Sequence, residues 1–320
     1  MTTLVVDGNN ILARSAFAAK GSRAHMSVDG VNTAALTIFI NMLSKYVKQV
    51  SPTHMAVCWD AGHRIRDEIY PEYKAKRAKH VDDGEDDDQT PWGQAKEFCT
   101  LAGIPHLARP QWEADDLIAV ITKEAPPEAR PVHILSGDKD LLQLVDRDVT
   151  QIRPGVSGPG GEVWTVPRVS TEMGLHPSQI PLYMALTGDQ GDGVPGVRGI
   201  GPKKALALLE KAEMDWDKTI DLLDEQDRVM AVTSRRLVDL RYPEFAAWAD
   251  DWTRWGEDIR APKFHPTLPG SMLWEPLMSF LSKWQMNSAI QRLREGSLWY
   301  EGGPDLDASA LVFDQAGPFG

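Results

Sequence analysis

Three short apolar runs with strand character punctuate the first half of the chain, and each ends in aspartate: Leu4-Val5-Val6-Asp7, Met55-Ala56-Val57-Cys58-Trp59-Asp60 and Val132-His133-Ile134-Leu135-Ser136-Gly137-Asp138. Helical patterns separate them. From Thr33 to Val50 apolar residues recur at Ala35, Ile38, Phe39, Met42, Leu43, Tyr46 and Val47, the stripe of a 3.6-residue repeat. Gln94–Leu101 and Asp115–Glu124 read as two further helices. Strands alternating with helices predict an α/β fold with a mainly parallel central sheet flanked by helices. Ligands bind such sheets at the carboxyl ends of the strands, so the three strand-terminal aspartates are expected to share one crevice.

Beyond Val163 the pattern turns helical. Pro177–Leu186 ends in Thr-Gly-Asp-Gln-Gly-Asp-Gly, and Pro202–Lys211 is entered through Gly196-Val197-Arg198-Gly199-Ile200-Gly201. Further helices are expected around Ile220–Leu223, Arg235–Leu240 and Leu277–Leu293. Trp248, Trp252, Trp255, Trp274, Trp284 and Trp299 read as core packing rather than base stacking. The chain thus divides into an α/β core over 1–165, a helical region over 166–300 and a Gly/Pro/Asp-rich flexible tail over 301–320. No internal repeat is visible.

The candidate chemistry lies in carboxylates. Glu113-Ala114-Asp115-Asp116 directly precedes an apolar run, which puts three carboxylates at a helix start where N–H groups and dipole favour anions. Capping accounts for one of them. Asp138 and Asp140 stand at the mouth of the third strand, and Asp189 and Asp192 lie in a glycine-rich loop. With Asp7 and Asp60 the set numbers nine. So many like charges in one crevice repel unless cations neutralise them. Oxygen ligands without His or Cys select hard ions such as Mg²⁺ or Mn²⁺, and two such ions would activate water at a phosphodiester.

Two basic elements accompany the carboxylates. After Asp60 come Arg64, Arg66, Lys74, Lys76, Arg77 and Lys79, interleaved with Tyr70 and Tyr73. This run reads either as a solvated helix face or as a phosphate grip. The second is Gly196 to Lys204, where Gly199 and Gly201 let backbone approach a phosphate at a helix start and Lys203 and Lys204 add charge.

The net charge of −12 at first argues against a polyanionic substrate. Setting aside the nine site carboxylates and the six of the run Asp82–Asp88 leaves a remainder with slightly more Lys and Arg than acid. Placement of the basic residues therefore decides, not the total. The 320 residues are 42% apolar and 25% charged, as in ordinary globular proteins. No signal peptide or membrane-spanning run is evident, and Cys58 and Cys99 sit in apolar segments like buried free thiols, so a cytoplasmic location is expected.

Five ordered motifs carry a resemblance: Asp7-Gly8-Asn9-Asn10, Tyr73-Lys74-Ala75-Lys76-Arg77, Glu113-Ala114-Asp115-Asp116, Ser136-Gly137-Asp138-Lys139-Asp140, and Leu186-Thr187-Gly188-Asp189 through Gly201. Over roughly residues 1–225 the chain resembles the flap endonuclease/5′–3′ exonuclease family, which includes phage 5′ exonucleases and the 5′-nuclease domain of bacterial DNA polymerase I. The resemblance implies a PIN-like flap-endonuclease fold with a helical arch at about 70–100. It also implies a helix–three-turn–helix module at about 180–225 that grips duplex through a K⁺-assisted backbone contact. Asp7, Asp60, Glu113, Asp115 and Asp116 would lie nearer one ion, and Asp138, Asp140, Asp189 and Asp192 nearer the other. Lys74 and Arg77 match residues that contact the scissile phosphate, while Arg14, Tyr73, Lys76, Gly199, Gly201, Lys203 and Lys204 are the expected DNA contacts. The implied activity is hydrolysis of DNA at 5′ flaps, nicks or free 5′ ends in replication, repair or primer removal, with RNA–DNA hybrids a further candidate substrate.

The chain departs from the family at Ala13, where members often carry an aromatic platform, so stacking would fall to Phe17 or Tyr73. The acidic run Asp82–Asp88 occupies an arch segment where basic surface is expected, and it reads equally as a repulsive element beside the 5′ strand or as a solvated loop. No polymerase-sized continuation follows, which reads as a free-standing enzyme, as in phage. A PIN-type endoribonuclease, a two-metal phosphatase and a catalytically inactive branched-DNA-binding protein are the competing readings. The first two do not require Lys74, Arg77 or the Gly196–Lys204 element.

Overall fold

The computed structural model describes residues 2–21, 27–28, 31–75, 90–155, 161–241 and 272–299. The chain begins with β1 (Thr3–Asp7) and α1 (Gly8–Gly21), and a short antiparallel pair, β2 (Ser27–Val28) and β3 (Val31–Asn32), precedes α2 (Ala34–Val50). Then come β4 (His54–Trp59), α3 (Arg64–Ile69), α4 (Pro91–Leu101), β5 (His106–Ala108), α5 (Ala114–Glu124), β6 (Val132–Leu135), β7 (Val149–Arg153) and β8 (Glu162–Trp164). The second half holds α6 (Val166–Met173), α7 (Ile180–Thr187), α8 (Pro202–Lys211), α9 (Trp216–Asp221), α10 (Glu225–Val238), α11 (Trp274–Lys283) and α12 (Asn287–Arg294).

The sheet order is β5-β4-β1-β6-β7-β8, parallel throughout except where β8 pairs antiparallel with β7. β1 is central and buried along its length, which is why it reads as an unbroken apolar run rather than an alternating one. Successive residues feed opposite faces of the sheet. Leu4, Val6, Val57 and Trp59 pack with α1, α2 and α4 on one face, while Val5, Ala56, Cys58 and Ile134 pack with α5 on the other. In register Asp7 lies beside Cys58, so the ends of β1 and β4 and the exit of β6 open at the same edge of the sheet. Gly8 follows Asp7 because a Cβ there would come within 2.5 Å of the Trp59 ring.

The expected fold class stands, with local corrections. The run read as a strand to Asp138 stops at Leu135, and Ser136 to Asp138 form an exit loop. Pro177–Gln179 is a 3₁₀ turn before α7. α10 starts earlier than the apolar pattern indicates, at an Asp224 cap that accepts the Asp227 N–H. Leu277–Leu293 is broken in two at Gln285, whose φ is 54°. The C-terminal helices also belong elsewhere than the helical region to which the sequence assigned them. Leu277, Phe280, Trp284 and Leu293 pack with Phe39 and Phe98 on the α/β body, and the Leu273 N–H donates to Leu101 O at 3.0 Å. The reading of Trp284 and Trp299 as core is borne out. Lys76, Arg77, Lys79, the run Asp82–Asp88, Trp248, Trp252, Trp255 and the tail 301–320 lie outside the described residues. Among the described residues no helix is long and apolar enough to cross a membrane.

Candidate metal centre

Asp7 is buried at the end of β1. Its Oδ1 accepts the Asn10 N–H at 2.9 Å, and its Oδ2 accepts the Ser136 hydroxyl at 2.7 Å. The same Ser136 oxygen accepts the Asp138 N–H at 3.0 Å, and Asp138 Oδ1 accepts the Asp140 N–H at 3.0 Å. Asp60, one residue past β4, accepts the Ala114 N–H at 2.7 Å and donates its own N–H to Asn9 Oδ1 at 3.0 Å. These bonds tie three strand ends and the start of α5 into one unit. Asn9, Asn10 and Ser136 hold it together; periodicity gives no sign of them, and their place in the motifs Asp7–Asn10 and Ser136–Asp140 is the available hint.

The electrostatics divide the carboxylates into two overlapping sets. Burial pushes the Asp7 carboxyl up to about 7, with Asp60 and Asp138 adding to the effect. Asp115 is raised well above the usual carboxylate range by burial and then by Asp138, Asp7, Glu113 and Asp60. Asp140 is raised to about 8 by burial and then by Asp138, Asp189 and Asp192. Asp138 therefore acts on both sets.

Glu113 behaves in the opposite way. Burial acts to raise it, but Arg66 and Lys74 outweigh burial and hold it at about 2. Its Oε2 meets Arg66 Nη1 at 2.8 Å and accepts the Tyr73 hydroxyl at 3.0 Å, and its Oε1 contacts Lys74 Nζ. Lys74 also stands 3.7 Å from Asp192 Oδ2. Burial acts to lower the Lys74 ammonium, yet Glu113 and Asp192 keep it above the usual lysine range. Lys74 has a left-handed φ of 51°, and its N–H donates to Asp192 O at 2.8 Å. That approach needs Gly193: its φ is +72°, and a Cβ there would meet Glu72 O at 2.7 Å.

Three sequence-based assignments change. Arg66 does not face a phosphate. It is buried, grips Asp116 through Nη1 and Nη2 at 2.9 and 2.8 Å, and donates from Nε to Leu237 O at 2.9 Å. Asp116, expected among the ion ligands, turns both oxygens to Arg66, and its Oδ2 also accepts the Glu113 N–H at 3.0 Å. Tyr73, expected as a DNA contact, is 4% exposed and spends its hydroxyl on Glu113, so it offers no face to a base. Phe17 on α1 is 80% exposed. Arg14 is half-buried and donates to Pro154 O at 2.8 Å.

The glycine-rich stretch joins this cluster through Asp189 and Asp192 and continues into an open turn at Gly199–Gly201. Asp189 and Val194 exchange N–H···O bonds, and Asp189 Oδ1 accepts the N–H groups of Gly191 and Asp192. Gly199, at φ +76°, and Gly201 have nothing within 4 Å of an added Cβ, so this backbone is open to approach. Arg198, Lys203 and Lys204 are exposed around it, and Lys204 Nζ donates to Gly199 O at 2.9 Å.

The donor set fits hard divalent cations: it is all oxygen, and Asp7, Asp115 and Asp140 are raised by burial first and by neighbouring carboxylates second, a penalty on the charged forms that a cation would offset. Among the described residues no three carboxylates are gathered tightly enough to chelate one ion as they stand. Glu113 and Asp116 are instead drawn to Lys74 and Arg66.

Comparisons with known proteins show the family and the fold. The family described as 5′–3′ exonuclease, N-terminal resolvase-like domain, matches residues 2–174, and the 5′–3′ exonuclease C-terminal SAM fold matches residues 175–241. A 5′–3′ exonuclease of Aquifex aeolicus is 39% identical over 211 residues, 66% of this chain and 69% of that protein. DNA polymerase I of Mycobacterium tuberculosis is 36% identical over 231 residues, 71% of this chain, but the chain spans only 24% of that protein's length. A bacteriophage T5 flap endonuclease solved with DNA and metal ions shares the fold, with a TM-score of 0.62 at 21% identity over 89% of this chain and all of that one. The catalytic core of Rad2, solved with a DNA substrate, aligns with a TM-score of 0.52 at 15% identity over 92% of each chain. On the matches that span residues 2–241, this chain belongs to the 5′–3′ exonuclease family.

Proposed function

We propose that the chain is a structure-specific 5′ nuclease that cuts DNA at 5′ flaps, nicks and free 5′ ends, in the cytoplasm of a bacterial or phage-infected cell. The observation that carries this reading is the crevice at the sheet edge, where Asp7, Asp60 and Asp138 crowd Asp115, Asp138 also crowds Asp140, and the half-buried cation Lys74 stands between Glu113 and Asp192. Asp7, Asp60, Asp115 and Asp138 would hold one Mg²⁺ or Mn²⁺, with Glu113 joining them on release from Lys74, and Asp138, Asp140, Asp189 and Asp192 would hold a second. Such ions supply charge neutralisation and a water acidified towards neutral pH. Lys74, carried by the backbone bond to Asp192, brings an ammonium to the place where charge develops on the phosphate, and Arg77 would join it. Asp116 is a positioning residue, acting through Arg66 and the Glu113 N–H.

Duplex DNA would dock on the open turn at Gly199 and Gly201, with Lys203 and Lys204 on its phosphates and K⁺ as an additional ion. Phe17, exposed one turn along α1 from Ala13, is the candidate platform for a base. A labelled 5′-flap substrate incubated with and without Mg²⁺ tests the reading, with an RNA–DNA hybrid as a second substrate. Cation-dependent cleavage near the branch is expected. Cation-insensitive binding without cleavage would replace this reading with that of an inactive branched-DNA-binding protein.

A further inference from the structure

The loop Ser136–Asp138 carries an aspartate that acts on both carboxylate sets, yet it belongs to no regular element. Three of its consecutive carbonyls are taken up by two side chains from the neighbouring strand. Gln151 Nε2 donates to Ser136 O at 2.9 Å and to Asp138 O, and Arg153 Nη2 donates to Gly137 O at 3.3 Å. The two side chains stand on the same face of β7 by the two-residue repeat of a strand. They arrive there because β7 pairs with β6 up to Leu135–Ile152, and the Ser136 N–H donates to Ile152 O at 3.1 Å.

Neither side chain is explained by packing alone. Gln151 is fully buried, and its Oε1 has no hydrogen-bond partner, so an apolar residue of similar size would suit the interior better. The Arg153 Nε is likewise buried and unpaired. What both side chains gain is contact with the loop carbonyls. From the other side, Asn10 Oδ1 accepts the Gly137 N–H at 2.9 Å, and a Cβ on Gly137 would fall 2.7 Å from Arg14 Nη1. The Gly137 peptide is therefore held from α1 and from β7 at once.

We propose that Gln151 and Arg153 form a carbonyl clasp whose task is to position Asp138, and through its bond to the Asp140 N–H also Asp140, for divalent cation binding. This inference rests on the metal-site reading above. Groups that orient ligands without touching the ion typically change its affinity by about 10- to 100-fold. Arg153 also stacks on Trp164, its Cζ 5.2 Å from the ring centre, but so does Arg168 at 4.7 Å, and Arg168 donates to Val163 O and Glu172 rather than to the loop. Arg168 is thus an internal control for any effect that runs through Trp164 packing.

The experiment measures Mn²⁺ binding by electron paramagnetic resonance, without DNA, in the parent and in Gln151→Leu, Arg153→Met, Arg153→Lys and Arg168→Ala. Amide exchange over residues 136–140 is followed in the cation-free proteins. The clasp requires about tenfold or weaker Mn²⁺ affinity and faster exchange in Gln151→Leu and Arg153→Met. Arg153→Lys should recover part of the loss, and Arg168→Ala should match the parent. Unchanged affinity in Arg153→Met, or an equal loss in Arg168→Ala, would overturn the proposal, and Arg153→Met decides it even if Gln151→Leu does not fold. A parent that takes up no Mn²⁺ would instead sink the metal-site reading, and the clasp with it.

Discussion

Replacing Arg66 by Met would remove the guanidinium that joins three elements: α3, which carries it, α5 through Asp116 and Glu113, and α10 through Leu237 O. Met fills much of the same volume, so the loss is of charge and hydrogen bonds more than of packing. Asp116 is 2% exposed and Glu113 5%, so both carboxylates would be left in the interior with a main counter-charge gone. Breaking a buried pair from one side costs about 3–5 kcal/mol, a large share of the roughly 5–15 kcal/mol that stabilises a folded protein. For a chain of 320 residues that corresponds to a fall in Tm of about 4–8 °C. Thermal unfolding followed by circular dichroism measures it. The site should suffer beyond the stability loss, because Glu113 and the start of α5 lose their anchor. Cleavage at a temperature well below the variant's Tm is therefore expected to drop by at least about tenfold, the size typical for loss of an orienting partner. A variant with a Tm within 2 °C of the parent would refute the buried-pair reasoning. A normal rate in a destabilised variant would show that Arg66 serves the fold alone.

Lys74→Ala should lower the single-turnover cleavage rate by about 10²-fold with a much smaller effect on flap affinity, since a cation aimed at developing charge acts in the transition state. Equal losses in rate and affinity would make Lys74 a general phosphate clamp. Replacing Lys203 and Lys204 together by Ala should weaken binding to all duplex-containing substrates and flatten its salt dependence, read from affinities across a salt series. Gly193→Ala places a side chain at φ +72° against Glu72 O; the backbone strain costs about 1–2 kcal/mol, and the rate should fall as Lys74 is pushed off Asp192. An unchanged rate would show that the Lys74–Asp192 backbone bond is dispensable. Burial also holds the His133 imidazole below its ordinary value of 6.5, so its neutral form is favoured in the folded chain. Its contribution to stability is intact above about pH 6.5 and declines as pH falls, and His133→Asn should reduce that slope in denaturant titrations at several pH values.

The sequence by itself determined the parallel sheet and the aspartates at its carboxyl edge. Buried parallel strands must be continuous apolar runs, and an aspartate closing such a run stands at the ligand-binding edge whatever the surrounding detail. The glycines around Asp189 and the basic turn at Lys203 were legible for a similar reason, because backbone approach and exposed charge are local properties. What only the tertiary structure decided is which polar groups face inward. Arg66 and Arg64 lie in the same basic run, yet Arg66 is buried against Asp116 while Arg64 meets Glu68 at the surface. Nothing in the composition of that run separates them. Tyr73 resembles a stacking residue until the fold buries it against Glu113, and Gln151 looks like an ordinary strand residue until β6 brings Ser136 and Asp138 alongside. The pairing of α11 and α12 with the α/β body was invisible for the same reason. An amphipathic pattern states that a face is buried, and only the assembled chain supplies the surface that buries it.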